Sequence, residues 1–583
     1  MSATETKDWR CSRNAVHNER FGELLKLSVS KWITLLFLVM LVSCVNLRAV
    51  QPTQTESGTT ASVATITASK STATIPPATA TSQPRFLPVT YGPEAEDFPS
   101  DVNPLTGLEV SDQSLLSLPA VLVSISNMPV TARPQAGPGL SPWVFELYIG
   151  EGATRFMNVF YGEYPRFVPN VSGGCDTREN ISRPTRAWVG NRVWLDENAN
   201  GRQDDWELGV GGVCVSLHSI DHHGQFWQRA TDTNGYYSFE LPVDETSKVL
   251  DGKYQLKIET SELFSFTKAN VGDDDRDSDM DAVTGQSPAF GFTETDPSWD
   301  AGLILSRDAP IVTPSIVPPN WFIPDEPYVG PIRSGRLTYN QIGSLFPNSC
   351  LVYASAAWDI GERLDACEIV LGVDKTTPNS ALLMVERMRE LAQESLNPRQ
   401  PVNYSGNLFS QTLPENGEPA ESLRVFYHSY TQSGWEYDPV STTYLRYTDQ
   451  ADGNGSLMPA VDRLTGRQMA FENVVVLFAE HERFRHNQFE INLALGQKGF
   501  AYLFRDGQAF RVQWATLSRG WEQTTGLMRP IYFVDSQNNL IPLHPGRTWI
   551  HLMTPYSAAI NQGVGKWLIQ FVQPEDPLDT PVP

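Results

Sequence analysis

Twelve consecutive residues, Asp196-Glu-Asn198-Ala-Asn200-Gly201-Arg202-Gln-Asp204-Asp-Trp206-Glu207, limit what the chain can fold into more than any other stretch. Counted from Asp196, oxygen-bearing side chains fall at positions one, three, five and nine, glycine at six and glutamate at twelve, with the main-chain carbonyl of Arg202 at seven. This is the ligand order of a calcium-binding loop. A hard cation takes six to eight oxygens, the glycine permits the sharp bend, and the last glutamate closes the shell with both carboxylate oxygens. A solvated Asp/Asn/Gly turn does not need all of these positions at once. The expected ligands are Asp196, Asn198, Asn200, Arg202, Asp204 and Glu207, and the expected cofactor is Ca2+.

The start of the chain reads as an export signal. Arg20, Lys26 and Lys31 precede the apolar run from Trp32 to Val42. That run is shorter than the roughly 20 residues that span a bilayer but has the length of a signal-peptide core. It ends in Leu41-Val42-Ser43-Cys44, which resembles a bacterial lipobox. The resemblance implies cleavage before Cys44 and a diacylglycerol on its sulfur; an uncleaved signal anchor is the alternative. Residues 1–44 are therefore expected to be a lipoprotein signal. Residues 45–84, rich in Thr, Ser, Ala and Pro, have too little apolar surface to offset the entropy of ordering and are expected to be a flexible tether. The net charge of −23 argues against a nucleic-acid partner, because phosphate-binding surfaces need Lys and Arg. With 42 Pro, 42 Gly, 15 Trp and 19 Tyr, the composition favours turns and aromatic-rich strands over long helices.

Folded text begins near Phe86. Ala120-Val-Leu-Val-Ser-Ile-Ser126 reads as a buried strand, and Val144 to Ile149 and Thr154 to Phe160 as two more. The words Asn103-Pro-Leu-Thr-Gly107, Ala132-Arg133-Pro-Gln135, Phe145-Glu146, Glu151-Gly152, Thr154-Arg155-Phe156 and Gly330-Pro-Ile-Arg333-Ser-Gly-Arg336 resemble those of the YerB-like bacterial lipoproteins, a two-part family of unassigned function. In that family the Thr-Arg-Phe strand runs almost directly into the Gly-Pro-Arg segment. Here a long segment separates them, so the resemblance implies a domain inserted at a surface turn, where insertion costs little.

That segment, 166–308 with a core at 188–305, resembles the B-type repeats of serine-aspartate surface proteins, relatives of the collagen-adhesin B module. The likeness runs through Val-Trp-Leu-Asp-Glu-Asn-Ala-Asn-Gly, Asp232-Thr-Asn234-Gly-Tyr-Tyr-Ser-Phe, Gly-Asp-Asp-Asp-Arg-Asp-Ser-Asp and Trp-Asp300-Ala-Gly. It implies a calcium-rigidified β-sandwich that serves as stalk, spacer or binding module. Aspartates so close together repel unless a cation sits among them. Asp273, Asp275, Asp277 and Asp279 are expected to form a second calcium site, helped by Asp232, Asn234 and Asp300.

A proline-rich linker, 309–327, returns the chain to the host. Residues 328–410 combine a helix near 337–346, a strand at 350–354 and an amphipathic helix from Ser380 through Asn397, which with 85–165 reads as a mixed α/β domain. From 420 to 575 strands and turns dominate. Trp435-Glu-Tyr-Asp438, Asp462-Arg-Leu-Thr-Gly466 and Gly546-Arg-Thr-Trp549 resemble the second part of the YerB-like family, and a mainly antiparallel β domain is expected. The fold class is thus α+β multidomain: a mixed α/β host interrupted by a calcium-binding β-sandwich, then a β domain. Four cysteines remain after the signal and Cys44. Three pairings are open to them; the domain division favours Cys350 with Cys367 and Cys175 with Cys214.

No reaction is legible. His481 and His486 stand five apart, whereas zinc-binding helices place histidines four apart on one face. No phosphate loop and no Gly-x-Ser-x-Gly elbow occurs. Glu146, Glu151, Arg155, Arg333 and Arg336 lie in the family words and are the candidates for acid/base work or for clamping an anion, against the alternative of an Arg/Glu network tying strands together. The leading expectation is non-enzymatic: an exported, membrane-tethered lipoprotein whose calcium-stiffened module binds or spaces an unidentified envelope or extracellular partner. The alternative is a hydrolase-type envelope enzyme using a Glu/Arg-lined cleft.

Overall fold

The computed structural model describes residues 89–168, 171, 175, 184–222, 224–244, 248–306, 324–372, 379–485 and 488–574. The expected signal, Cys44, the tether and most of the return linker lie outside them.

The large sheet of the body begins with three strands, β1 (Val121–Ser126), β2 (Trp143–Gly150) and β3 (Ala153–Phe160), antiparallel in the order β1-β3-β2. Every residue of β1 and β2 is buried. Strands apolar on both faces need cover above and below as well as neighbours on either side, and that requirement organises the rest.

After β3 the chain enters a separate sandwich made of β4 (Trp188–Leu195), β5 (Cys214–Ser219), β6 (Phe226–Ala230), β7 (Tyr236–Glu240), β8 (Lys253–Glu259), β9 (Phe264–Phe266), β10 (Phe290–Gly291) and β11 (Ala301–Leu305). One sheet has the order β7-β4-β11-β9 and the other β10-β8-β5-β6. Burial alternates along β8, as a strand with one face on a core requires. Val193, Val215, Leu217, Tyr237, Leu256 and Leu303 fill the space between the sheets. Cys214 on β5 is bonded to Cys175 on the incoming linker.

The chain rejoins the body beside its exit. Phe167, on the way out, and Tyr328, on the return, pack into one apolar cluster with Ala136 and Leu464. Tyr328–Val329 then pairs with Leu383–Met384, and Ile332 bridges to Ile125 at the end of β1. α1 (Thr338–Ser344) leads to β12 (Cys350–Tyr353), which lies parallel to β1 and is tied to the next segment by the Cys350–Cys367 disulfide. The expected helix from Ser380 is shorter than its pattern: α2 spans Val385–Glu394 and buries Val385, Met388, Leu391 and Ala392. Leu383 and Met384 are claimed by the pairing with Tyr328–Val329, so the helix starts only after them.

Then follow β13 (Ser422–His428), β14 (Thr431–Asp438), β15 (Thr443–Asp449), β16 (Asn473–Phe478), β17 (Lys498–Arg505), β18 (Gln508–Ala515), β19 (Thr548–Met553), β20 (Ala558–Gly563) and β21 (Lys566–Gln570). The expected division into a mixed α/β domain followed by a β domain does not hold, because the protein is mostly β and both host parts share one sheet. β19 lies parallel to β2 on one side and to β16 on the other. The resulting eleven-stranded sheet runs Glu368–Ile369, β12, β1, β3, β2, β19, β16, β17, β18, Glu418–Pro419, with Tyr532–Val534 also on β18. A seven-stranded sheet, with β15-β14-β13-β21-β20 at its centre, covers one face of the larger one. Val144, Phe156, Val425, Trp435, Trp549 and Trp567 pack in this layer, along with α2. The other face of the large sheet buries Trp143, Phe145, Met157, Leu503 and Leu552 against α1 and the loops around Phe346 and Tyr404.

Candidate metal centre and arginine cluster

β4 delivers Asp196 to the oxygen-rich loop in a fully buried position. Its Oδ1 accepts the Asn200 N–H (3.1 Å), and its Oδ2 accepts the Gly201 N–H (2.8 Å) and the Thr267 hydroxyl (2.5 Å). The bend is made at Ala199 and Gly201, both at positive φ (57° and 88°). Glu207 reaches back across the loop, its two oxygens accepting the N–H groups of Glu197 (2.9 Å) and Asp204 (3.0 Å). Asp204 Oδ2 accepts from the amides of Asn198 (2.7 Å) and Asn200 (3.0 Å), which supply the positive edge that this carboxylate faces. A half-turn of either amide presents an oxygen instead. Burial, opposed by its two main-chain hydrogen bonds, pushes Glu207 up to about 7.

The second acidic run lies against this loop: Gln203 N–H donates to the Arg276 carbonyl, and Arg276 pairs with Asp205. The carboxylates gathered there are Asp274, Asp277 and Asp279, with one oxygen from each within 4.8 Å of the others. Asp273 and Asp275 stand outside that group, which holds Asp277 and Asp279 of the four expected ligands together with the exposed Asp274. The run is a tight turn and not an extended strand: the Arg276 N–H bonds to the Asp273 carbonyl, so alternate spacing does not select one face. Asp277 is 3% exposed and its Oδ1 has no hydrogen-bond partner. Burial and the neighbouring carboxylates push Asp277 up to about 6 and Asp279 up to about 8. Asp300 stands beside Asp279, its N–H donating to Asp279 Oδ2 (2.6 Å). Asp232 instead makes a turn of its own, accepting from the Asn234 and Tyr236 N–H groups.

The sandwich also touches the body at this loop. Arg202 pairs with Glu109 (2.7 Å), the Glu109 N–H donates to Asp205 (2.9 Å), and Arg467 donates to the Gly209 carbonyl. These partners lie far apart in sequence, and no local pattern marked them.

The host candidates divide between two faces of the large sheet. Glu146 on β2 and Thr154 on β3 point into the layer between the sheets; Arg155, one residue on, points to the opposite face. Glu146 is fully buried and accepts from Thr154 (2.8 Å), Ser433 (3.1 Å) and Trp549 Nε1 (3.3 Å), with Arg446 Nη2 at 3.7 Å. Burial raises its pKa and the Arg446 charge opposes that rise. His551 lies at 3.4 Å from the same carboxylate, and its Nε2 accepts from Trp435 Nε1 (2.9 Å). The ring proton is therefore on Nδ1, and burial and Arg446 hold the imidazole neutral. Arg446 is boxed by Trp549 (4.4 Å) and Phe156 (5.1 Å). This is a closed internal network between the sheets, with the Arg446 Nε left without a hydrogen-bond partner. Glu151 occupies the exposed β2–β3 turn at φ 52°. The expected convergence of Glu146 and Glu151 with Arg155, Arg333 and Arg336 therefore does not occur; the three arginines alone come together.

Residues 105–187 match the N-terminal domain, and residues 423–550 the C-terminal domain, of a protein of unknown function (DUF3048). Residues 187–303 match the SdrD B-like domain. The putative lipoprotein YerB of Bacillus subtilis (strain 168) is 22% identical over 258 residues, 41% of this chain and 70% of that protein. Serine-aspartate repeat-containing protein F of Staphylococcus epidermidis is 37% identical over 87 residues, 15% of this chain and 5% of that protein. Serine-aspartate repeat-containing protein C of Staphylococcus aureus (strain Newman) is 38% identical over 99 residues, 17% of this chain and 10% of that protein. The chain thus spans only a small part of these two repeat proteins. A crystal structure of YerB protein from Bacillus subtilis aligns with a TM-score of 0.40 and 15% identity, over 78% of this chain and 96% of that one. No helix among the described residues is long and apolar enough to cross a membrane. The chain is a homologue of the YerB lipoprotein that carries an SdrD B-like domain between its two DUF3048 domains.

Proposed function

We propose that this chain is a protein tethered by lipid to the outer face of the cytoplasmic membrane or the cell surface, in which an adhesin-like sandwich stiffened by calcium is carried on a YerB-like body to bind or space an envelope or extracellular partner. The observation that supports calcium most directly is the group Asp274, Asp277 and Asp279, with a buried carboxylate oxygen of Asp277 that nothing satisfies. A like-charged set with an unsatisfied buried oxygen is costly, and a hard divalent cation with oxygen ligands removes that cost. The loop from Asp196 to Glu207 fits the same cation. Asp196, Asp204, Glu207, the amides of Asn198 and Asn200 and the Arg202 carbonyl would hold it, and it would supply charge neutralisation and rigidity.

A catalytic reading has no comparable support, since Glu146 lies across the sheet from the arginines and Glu151 sits on an exposed turn. Calorimetric titration of the full chain with calcium, before and after chelation, tests the proposal. Saturable binding at about two sites supports it; absence of binding by both the parent and chelator-stripped protein overturns it. Partner binding is read by capture from envelope fractions with and without residues 166–308, and capture that does not depend on those residues refutes the adhesin-like role.

A further inference from the structure

Arg155 projects from β3 onto the face of the large sheet away from Glu146, directly opposite Ser126 of β1 in the strand register. It is 5% exposed; Nη1 donates to the Ser334 carbonyl (3.3 Å) and Nε has no partner. Arg336 reaches the same residue from the other side, Nη1 donating to Ser334 Oγ (2.8 Å), and its buried Nε is likewise unpartnered. Arg333 completes the group: Nε donates to Ser126 Oγ (3.2 Å) and Nη2 to Asn379 Oδ1 (2.9 Å). The hydroxyls of Ser124 and Tyr339 bond to each other beside them (2.8 Å). Among the described residues no carboxylate forms an ion pair with any of these three arginines. Arg446, Arg505 and Arg529, which are also buried, each have one, while buried Arg467 donates instead to the Gly209 carbonyl. Burial, opposed by the Tyr339 hydroxyl, and the charges of Arg336 and Arg333 pull the Arg155 guanidinium down to about 10.

The geometry points to an anion site on the body: Arg155, Arg333 and Arg336, with the hydroxyl groups around them, bind a phosphate oxyanion. Three positive charges that are partly desolvated call for a ligand of more than one negative charge. A carboxylate brings one charge and two oxygens in a plane; a phosphate monoester brings nearly two charges and three terminal oxygens, which three guanidinium forks and hydroxyls can meet from different directions. The site belongs to the body and does not depend on calcium in the sandwich. The ligand is inorganic phosphate or the phosphoryl group of a larger molecule.

The test is isothermal titration of the full chain, at constant ionic strength, with inorganic phosphate, glycerol 3-phosphate and acetate in separate arms. Saturable binding of phosphate at one site, at least tenfold tighter than acetate, is expected. Comparable or tighter binding of glycerol 3-phosphate assigns the site to phosphoryl groups on larger molecules; its exclusion assigns the site to the free ion. Arg333→Gln and Arg336→Gln, both at half-exposed positions, each weaken phosphate at least tenfold with an unchanged circular dichroism spectrum and thermal transition. Arg155→Lys retains the charge but not the fork and weakens phosphate less than either. No saturable phosphate binding, equal affinity for acetate, or unaltered affinity in the Arg333→Gln/Arg336→Gln double variant overturns the proposal.

Discussion

In the proposed calcium-bound sandwich, removing the ion converts two acidic groups from ligands into liabilities, and the size of that change follows from their surroundings. Glu207 is pushed up to about 7 and Asp279 to about 8, first by burial and then, after opposing hydrogen bonds, by neighbouring carboxylates. Each tenfold rise in proton affinity on folding is worth about 1.4 kcal/mol. Relaxation of the charged loops absorbs part of this, which leaves about 4 kcal/mol held against the cation-free sandwich at alkaline pH. The folded carboxyls keep their protons to higher pH than the unfolded ones. The stability of the cation-free form is therefore greatest below pH 4 to 5 and is lost as pH rises through 7 to 8. Calcium at a thousandfold excess over its Kd returns about 4 kcal/mol. For a domain of this size that is about 15 °C in melting temperature. Scanning calorimetry of the full chain at pH 8 should show one transition rising by that order between chelator and millimolar calcium, and rising less at pH 5.5, where protons compete. In chelator the same transition should move up as pH falls from 8 to 5.5. Glu207→Gln should raise the chelated transition and shrink the calcium response. An unchanged transition with calcium at pH 8, or a chelated form that gains stability as pH rises, would refute the reasoning.

Other outcomes follow from the body. Glu146→Ala leaves Arg446 as an unpaired charge between the sheets and should cost about 3 to 5 kcal/mol in urea unfolding. Cys350→Ser opens a loop closed across 17 residues and should cost about 3 kcal/mol, matched by reduction of a Cys175→Ser/Cys214→Ser variant, in which this is the remaining bridge. Glu109→Ala, which removes an ion pair exposed at its rim, should change global stability by less than about 1 kcal/mol. Cys44→Ala should move the chain from the membrane pellet to the soluble fraction of cells, and retention in the pellet would argue for the uncleaved anchor.

What could be read from the sequence was whatever local spacing carries. The calcium-type loop is defined within twelve residues, and strands such as Ala120 to Ser126 announce themselves by continuous apolar text. The sharing of one sheet by both host parts was not legible, because a parallel neighbour such as β19 for β2 leaves no turn between them to read. The run from Val144 to Ile149 did hold a partial signal: apolar residues on both faces ask for a strand on each side. Asp274 was missed because alternate aspartates suit an extended chain, whereas Asp273 and Arg276 close a turn. Glu146 and Arg155 share the family words on neighbouring strands, and shared words do not say which face of the sheet each side chain takes. Whether the difference in strand position is odd or even across a hairpin, which decides the face, depends on the bulge at Gly150 in the β2–β3 hairpin.

The parallel contact of Trp143 with Thr548 also sets an order of events. The central sheet of the body cannot close until residues about 400 apart have met, whereas every pairing inside the sandwich is drawn from residues 188–305. As the chain emerges N-terminus first, the guest can therefore finish folding while β2 still lacks its parallel neighbour. A folded guest then holds the two broken ends of the host side by side, shortening the loop that the remaining strands must close. On this view its removal should alter how fast the body assembles more than how stable the assembled body is.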